Sequence, residues 1–235
     1  MPNSSPLSAT RKSEESSTIS HPTLDKITPP LSTPHFERCL IEDHDGWKKV
    51  SSHQTYADDY IQIEKAEYLT PTHQDKPIPW TIAHRKSAIA VAPIDREGNF
   101  VMIQQERFPV QQTLWEFPAG QIDHLDERRL ETDVILGTVA DELREEAGYQ
   151  LAEGAELIPL GYFFSSQGFT TEHVYLFAAN PVEPIGGGNR PVGGERINHI
   201  RTFTPAEFRR MVAENGTKDA LSLALFAKMA ARDLI

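Results

Sequence analysis

A single cysteine, Cys39, occurs among the 235 residues, which excludes an intrachain disulfide and any cysteine-based zinc site. Long apolar runs are missing too: nothing approaches the roughly 18 residues that a membrane-crossing helix needs. The opening stretch, MPNSSPLSATRKSEESSTISH, has no apolar centre and is not read as a secretory signal, so a cytoplasmic setting is expected. Positive charge is scarce. With 23 Lys and Arg against 34 Asp and Glu the net charge is -11, and no basic stripe is available for a phosphate backbone, so nucleic acid is not an expected partner. An anionic small molecule must then be met by a local group of arginines or by a metal, because the overall field repels it. The nine histidines show no metal-ligand spacing. No Gly-rich loop ending in Lys-Ser or Lys-Thr follows a strand, which removes the usual nucleotide-triphosphate loop.

What is present divides into three parts. Residues 1–36 are rich in Ser, Thr and Pro and poor in large apolar side chains. Such a stretch buries too little surface to offset its ordering entropy, and the expectation is a disordered tail. Residues 37–79 alternate bulky and polar side chains around Tyr60, Ile61 and Ile63, with a turn near Asp58-Asp59. This predicts two or three strands of a small N-terminal sheet, followed by a Pro-containing connection from Pro71 to Pro79. Residues 80–235 form the third part. HRKSAIAVAPID and NFVMIQQERF read as strands around the turn Asp95 to Asn99, and TLWEFPAG as a short strand broken at Pro118-Ala119-Gly120. LIPLGYFFSSQ and EHVYLFAANPV flank the loop Ser166 to Thr171, the Gly-rich IGGGNRPVGGERI is flexible by composition, and INHIRTFT is a strand. Two helices close the chain, one from Pro205 to Glu214 capped by Thr204, the other from Asp219 onward. The alternation of strands and helices predicts an α/β (α+β) sandwich with a mixed sheet.

The segment richest in chemistry is a helix from about Thr132 to Ala147, capped by Thr132 or Asp133 and ended by Gly148. Leu136, Val139, Ala140, Leu143 and Ala147 give it one apolar face. Glu142, Glu145 and Glu146 lie at offsets of zero, three and four, within about 100° of arc on an α-helix. Like charges that close destabilise a helix unless something cationic sits over them. Oxygen-only ligands on a rigid face suit Mg²⁺ or Mn²⁺, the metals of phosphoryl chemistry.

Gly120, then Glu142, Leu143, Glu145, Glu146, Gly148 and Tyr149, resemble the signature G-x5-E-x7-R-E-φ-x-E-E-x-G-φ of the Nudix hydrolases. The QQERF strand, the WEFPAG entry, the SSQGFTTE loop, GGERI and the closing NGTKDALSLAL are similar to the ADP-ribose pyrophosphatase branch of that family. Two departures stand out. Gly120 and Glu142 are about seven residues further apart than the signature allows, an insertion falling within Asp123 to Leu130. Asp133 takes the place of the first signature Glu and Asp141 that of the signature Arg, with Arg128 or Arg129 as substitute cations.

The resemblance implies a Nudix-type α/β/α sandwich and Mg²⁺ held by Glu142, Glu145, Glu146 and the carbonyl of Ala119. It assigns Glu195, in the Gly-rich loop, as general base, with Glu172 as its rival. Arg107 becomes the phosphate-binding arginine, Arg85 a second contact near the nucleotide, and Glu116 the group orienting Arg107 or a water. It further implies a homodimer formed through residues 37–80, with Trp47 or Trp80 stacking on the base. The implied reaction cleaves ADP-ribose to AMP and ribose 5-phosphate. Two alternatives stay open: a nucleotide sugar such as GDP-mannose as substrate, or a catalytically impaired domain that binds nucleotide, a reading that Asp141 keeps alive.

Overall fold

The computed structural model describes residues 37–123, 131–190 and 196–235. The insertion with Arg128 and Arg129, the tail and Glu195 lie outside the described residues. Strands β1 (Lys48–Ala57), β2 (Gln62–Thr70) and β3 (His73–His84) form an antiparallel three-stranded sheet. The stretch expected to be a connection is therefore a strand. Pro77 and Pro79 are tolerated because β3 is an edge of this sheet, where a missing N–H breaks no ladder on the outer side.

The larger sheet has seven strands, β4 (Ala88–Asp95), β5 (Phe100–Arg107), β6 (Gln112–Glu116), β7 (Ala119–Gln121), β8 (Tyr149–Phe164), β9 (His173–Pro184) and β10 (Ile197–Phe203). Its main path runs β10-β5-β4-β9-β8. The central strands read as near-continuous apolar runs because both of their faces are covered. β4 and β9 are parallel, with Ile89 opposite Tyr175 and Val91 opposite Phe177. Alternation along β4 and β5 sends Ile89, Val91, Val101 and Ile103 to one core and Ala90, Ala92, Phe100 and Met102 to the other. Helix α1 (Thr132–Glu142) covers the first face, while α2 (Pro205–Ala213) and α3 (Ala220–Ala230) cover the second. The result is the expected α/β/α sandwich.

One feature of this sheet creates the site. β4 and β5 pair only at the hairpin, Ile94 with Phe100, and then separate. The segment 112–121 fills the opening: β6 pairs with β5, β7 pairs with β4, and Val91 N donates to Pro118 O at 3.0 Å. A backbone turn is thereby wedged into the middle of the sheet, under the C-terminal end of α1.

The carboxylate helix differs from a continuous α-helix. It begins at Thr132 with Glu131 in the cap position, and no side chain supplies a capping hydrogen bond. After Glu142 the coil widens into a π-helical turn, Leu143–Ala147, a form that recurs at functional sites. The buried stripe is Ile135, Val139, Leu143 and Ala147, so Ile135 takes the place expected of Ala140, which is exposed. α2 is capped by Thr204 as expected, and the structure shows the cap to be reciprocal: Glu207 N donates to Thr204 Oγ1 at 3.1 Å and Thr204 N donates to Glu207 Oε2 at 2.8 Å.

Candidate active site

Two of the three helix carboxylates converge on the Ala119-Gly120 turn. Glu146 is fully buried, and its Oε2 accepts from Ala119 N at 2.8 Å. Glu142 lies over Gly120: a Cβ on that glycine would fall 1.7 Å from Glu142 Oε1. Any side chain at position 120 displaces the carboxylate, which is why the turn needs glycine there. Glu146 thus departs from the apolar face predicted for this helix and turns into the core, because the wedged turn gives it a backbone donor inside.

Helix and Gly-rich loop are joined at Gly148. Its φ of +69° belongs to the left-handed region, and a Cβ there would meet Asn189 N at 2.7 Å. Ile185 N donates to Gly148 O at 2.9 Å, and Arg190 N donates to Glu145 O at 2.8 Å. On the far side of the undescribed stretch, Glu106 N donates to Arg196 O at 3.0 Å. The described residues on either side of Glu195 are therefore anchored, one to the acidic helix and one to β5.

Arg107 leaves β5 beside this turn. Its Nε donates to both oxygens of Glu116 at 3.0 Å, and Nη2 donates to Glu116 Oε2 at 2.5 Å. Glu116 is 1% exposed. Burial pushes its carboxyl upward, against the Arg107 guanidinium, which pulls it back. Burial opposes the charge of Arg107, while Glu116, Asp219 and Glu146 all favour it, and the net direction is upward. The N-terminus of α3 braces the strand that carries Glu116. Phe117 N donates to Ser222 Oγ at 2.9 Å, Ser222 Oγ donates to Asp219 Oδ2 at 2.7 Å, and Thr217 Oγ1 donates to Trp115 O at 3.1 Å.

Arg85 and Glu172 are brought together, but as a pair with each other, Nε to Oε1 at 3.2 Å. Ser165 Oγ donates to the other carboxylate oxygen at 2.6 Å. This pair belongs to a set of ties between β3 and the loop 166–171: Trp80 Nε1 donates to Gly168 O at 2.9 Å, Ala83 N to Phe169 O at 2.7 Å, and Thr171 N to Ala83 O at 3.1 Å. Trp80, expected as a base-stacking ring, has its indole N–H engaged in that tie. Trp47 and Arg85 line a cavity of about 960 Å³ between the small sheet and residues 84–86. Its wall includes Glu64, whose carboxyl burial pushes up but which Ser52, His84 and Lys49 pull down to about 2.

Sequence reasoning missed the partner of Asp141. Arg144 Nη2 donates to Asp141 Oδ1 at 2.5 Å and stands 3.6 Å from Glu145 Oε1. The spacing of three residues on a helix was the available signal.

Among the described residues no three His, Cys, Asp or Glu side chains are gathered tightly enough to hold a metal by themselves. Mg²⁺ does not require that: it keeps several waters and is bound by one or two carboxylates together with substrate phosphates. Glu142, Glu146 and the Ala119 carbonyl offer only oxygen donors at one turn, so the donor set fits.

A sandwich with an acidic helix over a wedged glycine turn defines the class, and comparison with known proteins agrees. The family profile of the NUDIX domain matches residues 83–224. The chain belongs to the Nudix family. It is 27% identical over 132 residues to a methanol dehydrogenase activator of Bacillus methanolicus, covering 56% of this chain and 65% of that protein. It is 31% identical over 104 residues to an ADP-ribose pyrophosphatase of Bacillus subtilis, 44% of this chain and 51% of the relative. An ADP-ribose pyrophosphatase of Mycobacterium tuberculosis is 33% identical over 105 residues, 42% of this chain and 44% of that protein. The matches thus span between 44% and 65% of the relatives' length. A crystal structure described as an ADP compounds hydrolase superposes with a TM-score of 0.63 at 12% identity, over 81% of this chain and 96% of that one, a likeness of fold. Among the described residues no helix is long and apolar enough to cross a membrane.

Proposed function

We propose that the protein hydrolyses the diphosphate bond of a nucleoside diphosphate derivative, ADP-ribose first among them, giving AMP and ribose 5-phosphate. The observation that carries this reading is the convergence of Glu142 and Glu146 on the Ala119-Gly120 turn, with Arg107 held beside it by Glu116. Glu142, Glu146 and the Ala119 carbonyl, joined by Glu145, would hold Mg²⁺ or Mn²⁺. Such an ion neutralises a diphosphate and lowers the pKa of bound water.

The chain's own residues supply the rest. Glu116 grips Nε and Nη2 of Arg107 and fixes the plane of the guanidinium, so that its remaining edge meets a phosphate oxygen in one orientation. Wedging the turn into the sheet keeps the carboxylates and this arginine on rigid elements, which is what positioning a phosphate requires. Glu195 takes the proton of the attacking water, a role that rests on the family resemblance of GGERI. Glu172 serves better as the partner of Arg85 and Ser165, an arrangement that ties up both of its oxygens. Trp47, on the wall of the cavity beside Arg85, is the aromatic for the base. All ten residues of β1 are exposed, and a homodimer in a cytoplasmic setting, built through the small sheet, is part of the same reading.

Incubation with ADP-ribose, GDP-mannose and NADH, with and without Mg²⁺, and resolution of the products tests it. AMP and ribose 5-phosphate appearing only with the metal is the expected result. Preferential cleavage of GDP-mannose would replace the substrate, and binding without turnover would replace catalysis with nucleotide sensing.

A further inference from the structure

Asp141 sits where an additional acid looks adverse, one residue before Glu142 and on the same helix as Glu145 and Glu146. Its partner explains it. A single nitrogen of Arg144 is in hydrogen-bond contact with Asp141, at 2.5 Å, and only at ion-pair distance from Glu145, at 3.6 Å. The Glu145 backbone is itself fixed, since its carbonyl accepts from Arg190 N at 2.8 Å. What can vary is which carboxylate the guanidinium takes.

A guanidinium and a divalent cation compete for the same carboxylate oxygens. With no acid at 141, the five-donor fork of Arg144 would close on Glu145, the next carboxylate within reach, and a metal would have to displace it. Resting on the metal-binding reading above, we propose that Asp141 is a positioning residue that draws Arg144 away from Glu145 and so leaves Glu145 available to a divalent cation. The extra negative charge is compensated locally, three residues along the helix, and the helix keeps a cation near its acids without lodging it among them.

The test is a double-mutant cycle read by Mn²⁺ uptake in calorimetry, using full-length wild type, Asp141→Asn, Arg144→Gln and the double variant. Asp141→Asn is expected to weaken Mn²⁺ binding by about two- to fivefold, the range that a partly exposed ion pair carries. In the Arg144→Gln background the same substitution should change binding by far less. Equal weakening in both backgrounds would make Asp141 a plain charge and overturn the proposal. Melting temperatures in metal-free buffer should agree among the four proteins to within a few degrees; a fall confined to Asp141→Asn, large enough to unfold it, also overturns it. Absence of Mn²⁺ uptake by wild type would remove the metal-binding reading as well, whereas an additive cycle removes only the role of Asp141.

Discussion

Two of the arginine–glutamate pairs on the described chain, Arg107–Glu116 and Arg85–Glu172, differ in nearly every physical respect. Arg107 and Glu116 form a three-contact fork with the carboxylate 1% exposed, between strands that border the wedged turn. Arg85 and Glu172 meet through one contact at 3.2 Å, with the arginine side chain 43% exposed, and join the end of β3 to a loop. Burial makes the first pair costly to break, because removal of one partner strands a charge in a poor dielectric. Solvent screens the second, whose contribution falls in the range of ordinary surface pairs. One pair fixes a guanidinium; the other fixes a loop.

Arg107→Ala should produce the largest effect: a loss of about 3 kcal/mol in urea denaturation, the low end for a buried pair because the guanidinium is itself partly exposed. Burial already raises the Glu116 carboxyl, and loss of the arginine raises it further. An acid whose folded pKa is raised favours the fold at low pH, so the deficit should be widest at neutral pH and narrow on acidification. A deficit that does not change with pH would mean that lost packing, not a stranded carboxylate, governs the site.

Glu172→Gln sharpens the contrast from the other side. A change of about 1 kcal/mol or less is expected, with turnover of ADP-ribose retained at the wild-type order of magnitude. A drop of a hundredfold or more in kcat with KM unchanged would instead promote Glu172 to the general base and unseat Glu195.

A third carboxylate, Glu64, extends the comparison to the small sheet, with Lys49 Nζ at 3.1 Å and His84 Nε2 at 2.6 Å. Its pKa is lowered to about 2. A depressed acid stabilises the fold above its unfolded value of 4.5, and the contribution is lost as pH falls toward 2. Glu64→Gln should therefore be measurably less stable than wild type at pH 7 and equal to it near pH 2. Melting curves across that interval decide whether small-sheet carboxylates behave like the buried fork or like the loop pair.

Local signals were legible in the chain. Thr204 as a helix cap, Gly148 at a helix end and the acidic spacing of Glu142 and Glu146 are all properties of a few consecutive residues, and each is present. Longer-range matters were not. β3 runs through Pro77 and Pro79, which read as a break, because edge position is decided by strand order and leaves no local trace. The widened turn at Leu143–Ala147 has no residue signature, and it changes the geometry of the acids without changing their spacing. The burial of Glu146 leaves no local trace either, because its donor, Ala119 N, comes from a turn inserted between two strands. The ties from Trp80 and Ala83 to loop 166–171 join residues more than 80 positions apart.

Gly148 carries a design lesson. Replacing it fails twice, once on backbone conformation and once on the space held by Asn189. No single exchange can relieve both objections. Anyone wishing to transplant a different Gly-rich loop onto this scaffold must therefore move the helix terminus with it, treating the two as one indivisible cassette.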